Sequence, residues 1–111
     1  MNNIPRLYDS NFDNLRIKEH KGESVVFFSA DWCPYCISFF NNWKDYGDIE
    51  SVFIADITDV DSKLWDSFDI NVVPTMGIFK NGKLEKRWNG ILGQGLTINQ
   101  IEEVNSFFSK L

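Results

Sequence analysis

The apolar run Ser24-Val25-Val26-Phe27-Phe28-Ser29-Ala30 leads almost directly into Trp32-Cys33-Pro34-Tyr35-Cys36. No other feature restricts the fold of this chain as much. A short continuous apolar run suits a strand buried on both faces, as inside a parallel sheet. Beyond the cysteines, Ile37, Phe39, Phe40, Trp43 and Tyr46 recur at spacings of three and four. That is the pattern of an amphipathic helix with an aromatic face, and Gly47 is placed to end it. A buried strand therefore feeds a helix, and Cys33 stands at the junction.

The rest of the chain continues the alternation. Ile4–Tyr8 reads as a short first strand, and Ser10 as the cap of a helix carrying Phe12 and Leu15 and ending near Lys21-Gly22. Residues 51–57 form another apolar run, and Asp59 or Asp61 can cap a helix bearing Leu64, Trp65 and Phe68. Thr75–Phe79 and Leu84–Trp88 flank Lys80-Asn81-Gly82-Lys83, and Asn-Gly at the centre of such a segment is a strong hairpin signal. Thr97-Ile98-Asn99-Gln100 fits a capping box, followed by an apolar stripe at Ile101, Val104, Phe108 and Leu111. Strands separated by helices imply parallel neighbours with right-handed crossovers, and the closing hairpin adds an antiparallel edge. The expectation is one α/β domain over residues 1–111, with a central mixed sheet of four to five strands flanked by helices on both faces.

Composition narrows the function. Hydrophobic residues make up 43% of the 111, including ten Phe and four Trp, enough for a core without staples. Sixteen acidic and 11 basic side chains give a net charge of -5, and only Lys80, Lys83, Lys86 and Arg87 cluster. Nucleic-acid binding needs a basic face, so no nucleic-acid partner is expected. No apolar run approaches the about 18 residues of a membrane helix. The stretch Met1–Arg6 lacks a charged segment followed by an apolar one, so no signal peptide is expected. Two cysteines in one motif make no disulfide scaffold, and the reducing cytoplasm is the expected compartment.

The cysteine motif carries chemistry. Pro34 suits the first helical position, where a missing N–H costs nothing, which places Cys33 at the N-cap. Its sulfur would then accept hydrogen bonds from the N–H groups of Tyr35 and Cys36, and these donors and the helix dipole favour a thiolate. Cys36 lies one turn on, on the same face, within the separation a disulfide tolerates. Cys33 is thus the expected nucleophile and Cys36 the resolving thiol of a thiol–disulfide exchange. A zinc site would need further ligands, and the chain offers only His20, which falls at the far end of the first helix as a solvated side chain. A structural disulfide closing so small a loop would remove little unfolded-state entropy. No metal and no cofactor are expected beyond the Cys33–Cys36 disulfide itself.

Phe28-Ser29-Ala30-Asp31-Trp32-Cys33-Pro34-Tyr35-Cys36, then Val73-Pro74-Thr75, then Phe79-Lys80-Asn81-Gly82, then Gly90 occur in order and at matching intervals. Through them the chain resembles the thioredoxin family over nearly its full length. The resemblance implies the thioredoxin fold and a cis peptide bond between Val73 and Pro74. It also implies a substrate-binding surface around the cysteines that includes Trp32, Pro34 and Tyr35. From the proline loop and beyond it would draw Val73, Pro74, Thr75 and Gly90. The implied partners are disulfide-containing substrate proteins and a thioredoxin-reductase-like or other thiol reductant; nothing in the sequence demands more than a monomer, which is the expected state.

Three departures stand out. Pro34-Tyr35 resembles the glutaredoxin spacer, although no glutaredoxin-like Gly-Gly-acidic glutathione site follows the hairpin. Phe27 stands where thioredoxins bury an Asp that assists proton transfer at the second cysteine. Asn41 stands where the family's helix carries a kinking proline. The leading expectation is a protein-disulfide reductase. The alternatives are a disulfide oxidant or isomerase, or a partner-binding or redox-sensing module without efficient turnover.

Overall fold

A computed structural model describes residues 4–111; Met1–Asn3, part of the stretch read for a leader, lie outside the described residues. Among the described residues, seven strands form one sheet: β1 (Arg6–Leu7), β2 (Phe12–Asp13), β3 (Arg16–Ile17), β4 (Glu23–Ser29), β5 (Val52–Asp56), β6 (Thr75–Lys80) and β7 (Lys83–Trp88). Their order across the sheet is β1-β5-β4-β6-β7-β3-β2. The helices are α1 (Pro34–Tyr46), the single-turn α2 (Leu64–Ser67) and α3 (Ile98–Ser109), with a 3-10 turn at Asp9–Asn11. The sheet is mixed, as expected, but larger than the four to five strands expected.

The extra strands come from the segment read as a first helix. Asn14 and Glu19 have left-handed backbones, with φ of 57° and 58°, which no α-helix accommodates. The chain instead folds as a tight β2–β3 hairpin in which Phe12 pairs with Ile17. Phe12 and Ile17 are buried as a cross-strand pair, whereas Leu15, read with Phe12 as one helical face, is exposed between the two strands.

β4 is the central strand and is buried on both faces. Val26 and Phe28 face a core with Phe12, Leu64, Phe68 and Phe79. Val25 and Phe27 face a second core with Phe39, Trp43, Ile101 and Val104 of α1 and α3. Phe27 packs edge-on against Phe39 at 4.9 Å and Trp43 at 4.8 Å, the arrangement that the ring quadrupoles favour. α1 runs unbroken through Asn41 to its cap at Gly47.

β5 is parallel to β4, as expected of a strand–helix–strand unit, but β6 is antiparallel to it. The register explains why. Asp56 at the end of β5 lies beside Ser29, and Thr75 at the start of β6 lies beside Phe28. The chain from 57 to 74 thus stays at one end of the sheet and never crosses back. The β6–β7 turn is the expected one, with φ of 51° at Asn81 and 85° at Gly82.

One helix cap differs from expectation. α2 is not capped by Asp59 or Asp61; Asp59 instead accepts the Asp61 N–H in a local turn. Asp9, more than fifty residues away, accepts the Lys63 N–H at 2.9 Å and the Ser62 hydroxyl. At α3 the Thr97–Gln100 capping box forms as read.

Candidate active site

Cys33 is the N-cap of α1, with extended backbone angles and Pro34 as the first helical residue. Its sulfur accepts the Cys36 N–H at 3.2 Å; of the two donors expected, this one makes the bond. It also lies 3.4 Å from the Val73 carbonyl oxygen, so a protonated Cys33 donates there. Both cysteines are free thiols and both are buried, at 3% and 1% exposure. Burial pushes the Cys36 thiol up to about 12 from an ordinary 9.0. Its hydrogen bond to Cys33 and repulsion from that sulfur act in the same direction, while the Ser29 hydroxyl and the Ala30 N–H act against them.

The approach to Cys33 is a groove of about 360 Å³, lined by Trp32, Pro34, Tyr35 and Val73 together with Trp65 and Leu92. Four of the seven expected contact residues therefore meet at the nucleophile. Trp32 is half exposed, and its ring stacks on Trp65 at 6.2 Å with 8° between planes. The Trp32 indole N–H donates to the Thr58 carbonyl at 2.9 Å, and the Asp31 N–H donates to the Thr58 hydroxyl. Thr58 in turn donates to Asp56 through its hydroxyl and its N–H. Burial opposes ionisation of Asp56, but these Thr58 bonds and Arg6 hold its carboxyl below the usual range.

The other three expected residues lie behind the groove. The Val73–Pro74 bond is cis, and Pro74 is buried. Thr75 is 1% exposed and cannot touch a substrate; its hydroxyl donates to the Val72 carbonyl and accepts the Gly90 N–H. A Cβ at Gly90 would collide with the Pro74 carbonyl oxygen. Thr75 and Gly90 brace the proline loop.

With this geometry, the sequence profile of the thioredoxin family matches residues 3–103. The chain belongs to the thioredoxin family. Thioredoxin f from spinach chloroplast is similar in structure, with a TM-score of 0.70 at 16% identity, over 96% of this chain and 93% of that one. So is Malassezia sympodialis thioredoxin, with a TM-score of 0.67 at 19% identity over 96% and 90%. A mutant thioredoxin from Halobacterium salinarum gives 0.64 at 17% identity over 96% and 93%. As a thioredoxin-family member with a paired Cys33 and Cys36, the protein is a thiol–disulfide oxidoreductase in kind.

Sequence reasoning missed several parts of this thioredoxin-family site. Trp65 was read only as the apolar face of a helix, and its stacking on Trp32 depends on where α2 docks. Leu92, 86% exposed, sits in a glycine-flanked loop whose composition gives no sign of facing the cysteines. Ser29 was counted as part of a strand. His20, expected as a solvated helix end, is instead half-buried: its Nδ1 accepts the Gly82 N–H and its Nε2–H donates to Ser24 Oγ, both at 2.9 Å. Among the described residues no cluster of His, Cys, Asp and Glu could hold a metal ion. No helix there is long and apolar enough to cross a membrane.

Proposed function

We propose that the protein reduces protein disulfides, with Cys33 as nucleophile and Cys36 as resolving thiol. The observation that carries this reading is Cys33 at the helix N-cap, its sulfur accepting the Cys36 N–H, at the floor of an apolar groove. Negative charge on that sulfur is favoured by the N–H donor and the helix dipole. Cys33 thiolate attacks one sulfur of a partner's disulfide, forming a mixed disulfide and expelling the other sulfur as thiolate. Cys36 then attacks Cys33, the Cys33–Cys36 disulfide forms, and the partner leaves reduced. Trp32, Pro34, Tyr35 and Val73 contact the substrate chain, while Pro74, Thr75 and Gly90 shape the wall.

The same reading assigns the protein disulfide-containing substrate proteins, an external thiol reductant of the thioredoxin-reductase kind, a monomeric state and the cytoplasm. Two cysteines confined to one motif support a reducing compartment. The Pro34-Tyr35 spacer, glutaredoxin-like, supports a less reducing potential than that of thioredoxin. With dithiothreitol as donor, the protein accelerates insulin reduction and Cys33→Ser abolishes the acceleration. Equal rates for the variant and the wild type would overturn the reading.

A further inference from the structure

Cys36 has a second surface. On the side away from the substrate groove lies a solvent-open pocket of about 260 Å³, whose walls include Ser29, Ala30, Cys36, Phe40 and Asn41, with Asp31 at its mouth. The two openings share no lining residue. Ser29 is two residues beyond Phe27, so the pleat turns both side chains to the α1 face of β4. Phe27 is occupied beneath Phe39 and Trp43; Ser29 reaches the first turn of the helix, where Cys36 lies. The other buried hydroxyls are each committed: Ser24 to His20 and Ser51, Ser62 to Asp9, Thr75 to Val72. Among the described residues the Ser29 hydroxyl is not committed elsewhere, and Ser29 lines the same pocket as Cys36.

We propose that Ser29 is the positioning residue for resolution, its hydroxyl stabilising the Cys36 thiolate while the thiol's proton leaves through this pocket. The proposal rests on the dithiol mechanism above and deepens it. Burial keeps Cys36 protonated before reaction, and Cys33 adds two effects, accepting its hydrogen bond and repelling its charge. Both Cys33 effects end once its sulfur is bonded to a substrate sulfur, whereas the Ser29 hydroxyl and the Ala30 N–H remain. The Cys36 proton passes to water in the pocket. The thiolate electron pair forms the Cys33–Cys36 bond, the Cys33–substrate bond breaks, and the substrate sulfur departs as a thiolate. Among the described residues, the titratable and charged groups around this place are Cys33 at the N-cap of α1, Arg6 on β1, Asp31 in the β4–α1 loop and Asp56 on β5. Arg6 pairs with Asp56 at 2.9 Å and Asp31 at 3.4 Å, so the one cation is engaged and Asp31, on an exposed side chain, stands beside the exit.

Reduced protein mixed with dithiobis(nitrobenzoate) tests this in two phases: Cys33 attack releases one coloured thiolate, and Cys36 resolution releases the second. Ser29→Ala leaves the first phase unchanged, slows the second by roughly tenfold or more, as expected for losing a hydrogen bond to a charged atom, and moves its pH profile to higher pH. Ser29→Thr restores both. Asn41→Phe, on the exposed side of α1, plugs the pocket without entering the core and also slows only the second phase. An unchanged second phase in Ser29→Ala, or equal slowing in Ser29→Ala and Ser29→Thr, overturns the proposal. A wild type that releases only one equivalent overturns the dithiol reading itself.

Discussion

At the scale of single residues, Cys36 sets a pH signature. Its folded thiol titrates near 12, while an unfolded cysteine titrates near 9.0. Between those values the unfolded chain has lost a proton that the folded one keeps, so unfolding gains as pH rises. Reduced protein is therefore expected to hold its full Cys36 contribution below pH 9.0 and to lose it towards pH 12, and Cys36→Ala flattens that loss. Urea unfolding of both proteins on either side of pH 9.0 checks it. Gly90 makes a steric prediction. Gly90→Ala forces a methyl group onto the Pro74 carbonyl oxygen, and such overpacking costs about 1–3 kcal/mol, read as a lower urea midpoint with unchanged slope. The cysteines and Pro34 were legible because a cap and its first helical residue are decided within a few positions of chain. Trp65 and Ser29 were not, because their roles depend on which elements come to lie beside them.

At the scale of elements, the termini of strands and helices carry the long-range information. His20 ties the start of β4 to the β6–β7 turn through the Gly82 N–H, and burial lowers its pKa from 6.5. An acceptor at Nδ1 requires the neutral ring, so protonation breaks this bond. The contribution of His20 is present above pH 6.5 and lost as pH falls below it, since the unfolded state then binds the extra proton. His20→Phe removes this acid dependence, measured as thermal midpoints on the two sides of pH 6.5. β4, α1, the β6–β7 hairpin and the cap of α3 were readable from periodicity and turn chemistry. The N-terminal hairpin was not: Phe12 and Leu15 fit a helical face, and only the left-handed Asn14 and Glu19 exclude it. Non-glycine residues of this kind announce such a backbone weakly. The same holds for Asp9, whose capping of α2 depends on a fold already formed.

At the scale of the whole molecule, the thioredoxin fold was legible because its motifs recur in order along nearly the full chain. The mixed strand directions were less so, because sequence does not say at which end of the sheet the residues between β5 and β6 remain. With the glutaredoxin-like spacer on this fold, the expected potential is roughly −200 to −230 mV. A redox titration against a glutathione couple checks it, and a value at or below about −270 mV would contradict it. The two separate openings on either side of the cysteine pair have a kinetic consequence. A bulky folded client can cover the groove completely and still leave the other mouth uncovered. Resolution then needs no lifting or breathing of the docked client, so the lifetime of the covalent complex is set by the protein's own back wall and not by the size of what it holds.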